Sequence, residues 1–183
     1  MINDELLQKM DQLNKEILSK WINQELFSWQ WLLIIFLLVI SYVVFFINVD
    51  KKRFIEIMLY GSFIAVSFVV YDSIGWFFGF WTTTISVLPF YPNFFGSDFT
   101  IGPLFAMLVY QHTSSWRSFI IEYVLFSVLF IFGYYSLLLV NIDAFSYLKP
   151  FARIIDFSCF LIIGIISRLV ITLLLRVQMD RQV

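Results

Sequence analysis

The sequence is poor in charged residues and in the side chains that most often bind metals or form disulfides. Only 14% of its 183 residues are charged, against about 25% in a typical soluble domain. It has a single cysteine, Cys159, and a single histidine, His112. One cysteine excludes an intramolecular disulfide, and one histidine excludes a multi-histidine metal site. We therefore expect neither a resident metal nor a cofactor.

An excess of charge of one sign is also missing. Twelve Lys and Arg residues face thirteen Asp and Glu residues, so the net charge is −1. A nucleic-acid-binding surface would need a basic excess. The chain also lacks the GxSxG, HExxH and CxxC motifs and a glycine-rich phosphate loop. The sequence therefore predicts no nucleic-acid partner and favours a non-enzymatic protein.

Apolar and aromatic residues are abundant instead. Hydrophobic residues make up 61% of the chain and aromatic residues 21%, and the mean hydropathy is +0.86. So few polar groups could not cover this much apolar area in water. The sequence predicts an all-α integral membrane protein.

Five apolar segments follow one another through residues 29–183, which we interpret as a transmembrane bundle. About 20 apolar residues cross a bilayer core. The third segment is short, and if it is re-entrant, everything after it changes side. The predicted spans are 31–49, 54–72, 102–114, 119–140 and 154–175.

Residues 1–28 precede the first span and have the pattern of an amphipathic helix. Its apolar stripe falls within one arc. Two roles remain open for it: a helix lying on the membrane or on the protein itself, or a docking helix for another protein. Because the first long apolar run begins only at Trp29, we do not expect a secretory signal here. The stripe consists of Ile2, Leu6, Met10, Leu13, Ile17 and Trp21.

Lys and Arg in short loops favour the cytoplasmic side of a membrane. The densest basic cluster is Lys51-Lys52-Arg53, which places the first loop inside. The stretch 72–116 has no Lys or Arg and fits outside. We therefore expect a multi-pass protein of the cell membrane with its N-terminus outside and its C-terminus in the cytoplasm.

The loop 81–101 is unusually aromatic, and Pro89 and Pro92 prevent a continuous helix there. Non-helical backbone at membrane depth needs protein or a wet cavity to satisfy its polar groups. We interpret the loop as an irregular segment folded over the outer mouth of the bundle. The alternative is a hydrophobic loop at the level of the lipid headgroups.

A series of short motifs runs through the first two thirds of the chain. They are Trp29-Gln30-Trp31-Leu32-Leu33, Val49-Asp50-Lys51-Lys52-Arg53, Asp72-Ser73-Ile74-Gly75, Trp81, Pro89, Pro92, Asp98, Pro103, Leu108-Val109-Tyr110-Gln111 and Trp116. Together they resemble an uncharacterised family of small multi-pass membrane proteins from spore-forming Gram-positive bacteria. The likeness covers residues of about 20 to 120 and implies a topology and a class of organism. Two positions depart from the family pattern: Tyr134-Tyr135 stand where members have Glu-Pro, and His112 stands where they tend to have an aromatic residue.

A second likeness covers only residues 72–116. An Asp at the end of a span, a nearby Trp and a proline-containing loop before a short span are similar to membrane-embedded lycopene cyclase-type domains. Those domains act on long isoprenoids with acidic residues. The resemblance implies a lipid or isoprenoid ligand.

Ionisable residues inside spans are costly and are candidates for function. Glu122 and Arg168 fall at similar depth in the last two spans, and we predict that they form a structural ion pair. His112 lies at a helix end, where a snorkelling or capping role is expected.

A second group of ionisable residues lies at the outer ends of the spans. Asp72 and Asp156 should share one layer there with Arg153 and Trp81. Two carboxylates close together in an apolar site can act as acid and base, or as a proton-coupled binding site. We take Asp72 and Asp156 as candidate catalytic residues, and Asp72, Trp81, Asp98, Arg153 and Asp156 as candidate ligand-binding residues. Alternatively, each carboxylate caps a helix end or pairs with Arg153.

Three classes of function remain open. The first is a non-enzymatic structural or accessory membrane protein, connected with sporulation through the family resemblance. The second is a binder or enzyme of a lipid or isoprenoid that uses the outer carboxylates. The third is a small proton- or ion-coupled carrier.

Overall fold

The computed structural model describes residues 2–89 and 95–180, and the side chains of residues 3–89 and 95–178. The predicted all-α class is confirmed, apart from one two-stranded sheet. The helices within these ranges are α1 Ile2–Lys20, α2 Trp29–Asn48, α3 Phe54–Phe77, α4 Gly102–His112, α5 Trp116–Val128 and α6 Ala152–Asp180. The strands are β1 Trp81–Thr83 and β2 Phe145–Tyr147.

Three π-helical segments extend these helices. Trp21–Glu25 continues α1, Ser97–Ile101 leads into α4, and Leu129–Leu139 continues α5. The wider π turn rotates side chains relative to a regular α-helix, and such turns are frequent at functional sites. Here the second of them carries Asp98.

Four helices in the described ranges are long and apolar enough to cross a membrane. Their outward faces carry large apolar side chains, such as Phe36 at 59% exposure and Val66 at 62%. This pattern supports a membrane protein, because lipid covers such a surface at no hydrophobic cost. The four helices are Trp29–Asn48, Phe54–Phe77, Trp116–Leu139 and Ala152–Gln178. The third predicted span, 102–114, corresponds to α4, which has only 11 residues and is not among the four.

The loop between α2 and α3 meets the end of α4. The Gln111 amide nitrogen donates to the carbonyl of Asn48 at 2.8 Å, and its oxygen accepts from the backbone of Asp50 at 2.9 Å. We call this the basic-loop end, because Lys51–Arg53 follow directly. The opposite end of the bundle carries the β-sheet, and we call it the sheet end.

The sheet joins two connections that are distant in sequence. Trp81 pairs with Tyr147 and Thr83 with Phe145, in antiparallel register. The sequence predicts an irregular segment over 81–101, and for Trp81–Thr83 this prediction is wrong, because these residues form β1. Strand pairing satisfies backbone groups that surrounding lipid could not. Phe90, Tyr91, Pro92 and Phe94 of this loop lie outside the described residues.

Aromatic rings fill the space between α3, α5 and α6. Tyr60, Phe68, Phe119 and Tyr123 have no exposed surface. Gly164 on α6 permits this packing, since a Cβ there would lie 2.0 Å from Cζ of Tyr123. This close contact between α5 and α6 therefore depends on a residue without a side chain.

Candidate functional site

Three aspartates meet at the sheet end. Asp72 lies near the end of α3, Asp98 in the π turn before α4, and Asp156 near the start of α6. Asp98 is 7% exposed and Asp156 is 6% exposed, while Asp72 is half-buried. All three are candidate residues from the sequence, and the fold brings them into one layer.

Two tyrosines hold Asp156. The hydroxyl of Tyr71 donates to one carboxylate oxygen at 2.5 Å, and the hydroxyl of Tyr147 donates to the other at 2.5 Å. Burial and the nearby Asp156 carboxylate raise the pKa of Tyr147, so its hydroxyl keeps its proton and remains a donor. Both oxygens of Asp156 are thus occupied by neutral donors.

Trp81 holds Asp72. The indole N–H donates to one carboxylate oxygen at 2.8 Å, and the ring is 3% exposed. Strand pairing with Tyr147 fixes the backbone of Trp81. Gly75, one turn after Asp72 on α3, leaves room for the ring, because a Cβ there would lie 1.8 Å from Cζ2 of Trp81. The predicted association of Asp72 with Trp81 is a direct hydrogen bond.

Asp98 has the weakest partner. The hydroxyl of Tyr135 lies 3.3 Å from one carboxylate oxygen and 3.4 Å from the other. Asp98 is 7% exposed and has no basic partner among the described residues, so a charged carboxylate there would be strongly unfavourable, the more so with Asp72 and Asp156 in the same layer. The neutral, protonated form of this carboxyl is therefore favoured.

A small cavity lies between the carboxylates and the covering loop. Its volume is about 20 Å³, which is enough for one water molecule. Asp72 and Asp98 face it together with Tyr134 and Tyr135, and residues of the loop after β1 cover it. Those loop residues are Ile85 and Val87.

No basic side chain neutralises this cluster within the described ranges. Arg153 is exposed and lies over the ring of Tyr147, 5.4 Å from its centroid, and no ion pair joins it to Asp156 among the described residues. The described residues also hold no group of three or more His, Cys, Asp or Glu placed to bind a metal ion. The carboxylates therefore have only neutral hydroxyl and indole donors.

The predicted pair of Glu122 and Arg168 is not formed. Arg168 donates to the hydroxyl of Thr113 at 2.9 Å and lies 4.4 Å from the ring centroid of Phe119. Glu122 accepts from Ser118 at 2.9 Å. Each side chain has other partners, and no ion pair joins the two in the structure.

His112 takes the local role expected at a helix end. Its Nδ1 lies 2.7 Å from the carbonyl of Leu108 within α4, and the residue is exposed. It is at the basic-loop end, on the opposite side of the bundle from the carboxylates.

Comparisons with known proteins add no assignment. No family model, curated protein or solved structure matches this chain. The site must be interpreted from its own chemistry.

Sequence reasoning missed the tyrosines of the site. Tyr71, Tyr135 and Tyr147 supply most of the donors to the three carboxylates. One local signal existed for Tyr71, which precedes Asp72 in the chain. With nine tyrosines and 23 phenylalanines, however, aromatic residues alone could not distinguish these three.

Proposed function

We propose that this chain is a multi-pass membrane protein that binds protons at the sheet end and exchanges them for a small monovalent cation. The observation that supports this function is the meeting of Asp72, Asp98 and Asp156 with only neutral donors around them. Carboxyl groups at membrane depth are functional candidates by default. This proposal belongs to the proton- or ion-coupled class of the three functions left open by the sequence.

The physical argument rests on the cost of burying charge. Three ionised carboxylates without a cation would be strongly unfavourable in an apolar interior. Protonation removes that cost, and so does a bound cation. A cavity of about 20 Å³ has room for a water or a small inorganic ion and excludes an organic cation or an isoprenoid. Asp72 and Asp98 line this cavity together with Tyr134 and Tyr135, so the cation would compete with protons for the oxygens of these two carboxyl groups and not for those of Asp156, which two tyrosines occupy.

The proposed topology has five crossings in the cell membrane. The π turn before α4 carries Asp98 at the sheet end, and Gln111 near the end of α4 contacts Asn48 at the basic-loop end. The π turn and α4 together thus run from one end of the bundle to the other, which supports them as the third crossing. With the basic loop in the cytoplasm, the carboxylates lie near the outer surface. Lys51→Cys in a Cys159→Ser background tests this orientation. If a reagent outside the cell labels this cysteine, the basic loop is outside and the orientation is reversed.

The function is tested by proton release from purified protein in unbuffered detergent micelles. Adding NaCl should release about one proton per chain, because binding of Na⁺ and of a proton are linked through shared oxygens. Choline chloride at the same ionic strength should release none. Asp98→Asn should abolish the release.

Asp143→Asn is the matched control. Asp143 is exposed near the sheet end and has φ 57°, a conformation that Asn tolerates well. Its replacement should leave proton release unchanged. If neither Na⁺ nor K⁺ releases protons and infrared spectra show no protonated carboxyl at neutral pH, the proposal is wrong and a structural or accessory role is favoured.

An apolar groove favours lipid or isoprenoid binding as a second candidate function. The groove has a volume of about 350 Å³ and lies between α2, α3 and α4. Ala65 and Met107 line it, and Thr100, two residues from Asp98, lies at its wall. Native mass spectrometry should detect a retained lipid that is lost in Ala65→Trp. A bare wild-type chain would contradict this candidate.

A further inference from the structure

The loop that covers the carboxylate cavity is held by side chains from the N-terminal part of the chain. The indole of Trp21 donates to the carbonyl of Ser86 at 2.9 Å, and the indole of Trp31 donates to the carbonyl of Val87 at 3.2 Å. Lys20 donates to the carbonyl of Thr84 at 3.0 Å. Three side chains from residues 20–31 thus bind the backbone of one short loop, residues 84–87.

Glu25 is the centre of this attachment. Its side chain is 2% exposed; one oxygen lies 2.8 Å from the Lys20 ammonium, and the other accepts from the backbone N–H of Ser86 at 2.6 Å. A carboxylate so buried is stable only with its partners in place. We call Lys20, Trp21, Glu25 and Trp31, with their bonds to residues 84–87, the clasp. Because Lys20 is the last residue of α1, the clasp ties α1 directly to the cover of the cavity.

Helix α1 leaves its apolar stripe uncovered. Residues 3–16 are all exposed, with Leu6 at 56%, Met10 at 52% and Leu13 at 53%. The rest of the helix surface carries two ion pairs, Lys9 with Glu5 and Lys15 with Asp11. The two residues of each pair are one helical turn apart. Such an amphipathic face with balanced charge suits the boundary between headgroups and acyl chains, with no need for anionic lipid.

The turn between α1 and α2 marks where that boundary lies. Phe27 is 72% exposed at φ 61° and packs edge-on against Trp31. Trp29, the first residue of the spanning helix α2, is 60% exposed. Exposed aromatic side chains at the end of a spanning helix are typical of the membrane interface. The exposed Phe27 and Trp29 thus indicate that the turn between α1 and α2 lies at headgroup level.

We propose that α1 lies in the surface of the bilayer at the sheet end, and that the clasp uses this position to keep residues 84–87 closed over the carboxylate cavity. The bilayer is the occupant of the apolar stripe. Detachment of α1 would pull on Lys20 and Glu25 and loosen the cover. The role of the cavity rests on the proposed function, whereas the contact of α1 with the membrane does not.

Spin labels on α1 test the contact with the bilayer. In a Cys159→Ser background, Met10→Cys carries the label on the apolar stripe. Gln8→Cys is the matched control, about 200° around the same helix. In phosphatidylcholine vesicles, the label at residue 10 should collide several-fold more often with oxygen than with a water-soluble nickel chelate, and the label at residue 8 should show the reverse. Equal exposure of both labels to the chelate would overturn the proposal.

Amide hydrogen exchange in residues 84–88 tests the coupling without altering the cover. Glu25→Gln should speed this exchange at least several-fold, and so should the double change Leu6→Asp with Leu13→Asp. Glu16→Gln, on the exposed face of α1, should leave the rate unchanged. If the Leu6/Leu13 variant exchanges at the wild-type rate, α1 does not control the cover. These exchange rates should persist in Asp98→Asn, so failure of proton exchange and failure of the coupling can be distinguished.

Discussion

Gly75 sets the position of Trp81 and, through it, the position of the Asp72 carboxylate. A Cβ at residue 75 would lie 1.8 Å from Cζ2 of Trp81 and 2.4 Å from two further ring atoms. Ordinary contact begins near 3.4 Å, so Gly75→Ala should displace the ring by about 1.5 Å. The indole then no longer reaches Asp72, to which it donates at 2.8 Å.

The expected loss of stability follows from three terms. Overpacking a rigid site costs about 1–3 kcal/mol. Loss of a hydrogen bond to a charged acceptor costs about 1.5–3 kcal/mol. The higher helix propensity of Ala relative to Gly stabilises the helix by about 1 kcal/mol and partly offsets these costs. We therefore expect Gly75→Ala to lower the free energy of unfolding by about 1.5–5 kcal/mol.

Unfolding in mixed micelles, followed by tryptophan fluorescence as the denaturing detergent is increased, measures this loss. Gly133→Ala is the control, because a Cβ at residue 133 meets nothing within 4 Å; its midpoint should be unchanged or slightly higher. In the double variant Gly75→Ala/Trp81→Phe, the second substitution should cost less than it does alone, since the first has already displaced the ring. Equal midpoints for Gly75→Ala and Gly133→Ala would refute the reasoning.

Three further substitutions test the charged residues by the same unfolding assay. Arg168→Lys should destabilise the bundle by about 1–3 kcal/mol, because Lys cannot bond both acceptors of Thr113 and stack on three rings. Glu122→Gln should change stability by less than about 0.5 kcal/mol, since the partner of Glu122 is Ser118. A loss of several kcal/mol would instead support the predicted ion pair with Arg168. Because Asp98 is buried without a basic partner among the described residues, its neutral form is favoured in the folded state, and the folded state should bind more protons than the unfolded state above about pH 4. Wild-type stability should therefore fall as the pH rises above about 4, and Asp98→Asn should flatten that fall.

Hydropathy was sufficient to locate the long helices. The predicted spans 31–49 and 154–175 each begin two residues after the start of the observed helix, at Trp29 and Ala152 respectively. Hydropathy also indicates the depth of ionisable residues along the spans, and for this reason the sequence predicts Asp72 and Asp156 in one layer. Depth follows from counting residues along a helix, and a count needs no knowledge of neighbours.

Rotation about the helix axis could not be predicted in the same way. The sequence predicts a similar depth for Glu122 and Arg168. However, α5 and α6 are apolar on nearly all sides, so no polar face indicates which of their residues meet. Arg168 turns instead to Thr113 and to aromatic rings. The strands could not be predicted for a related reason. β1 and β2 have only three residues each, which is too short for an alternating pattern to stand out, and 61 residues separate them in the sequence.

The interior charges of the two ends differ in sign, and this difference limits what the carboxylates can do. The sheet end holds three carboxyl groups without a basic partner among the described residues. The basic-loop end holds Arg53, which Glu56 neutralises at 2.6 Å, and Arg168, which is 8% exposed. A cation that passed the carboxylates would approach the Arg168 guanidinium in a medium that screens poorly. Straight-through conduction is therefore disfavoured, and a site that loads and unloads at the sheet end fits both groups of charges.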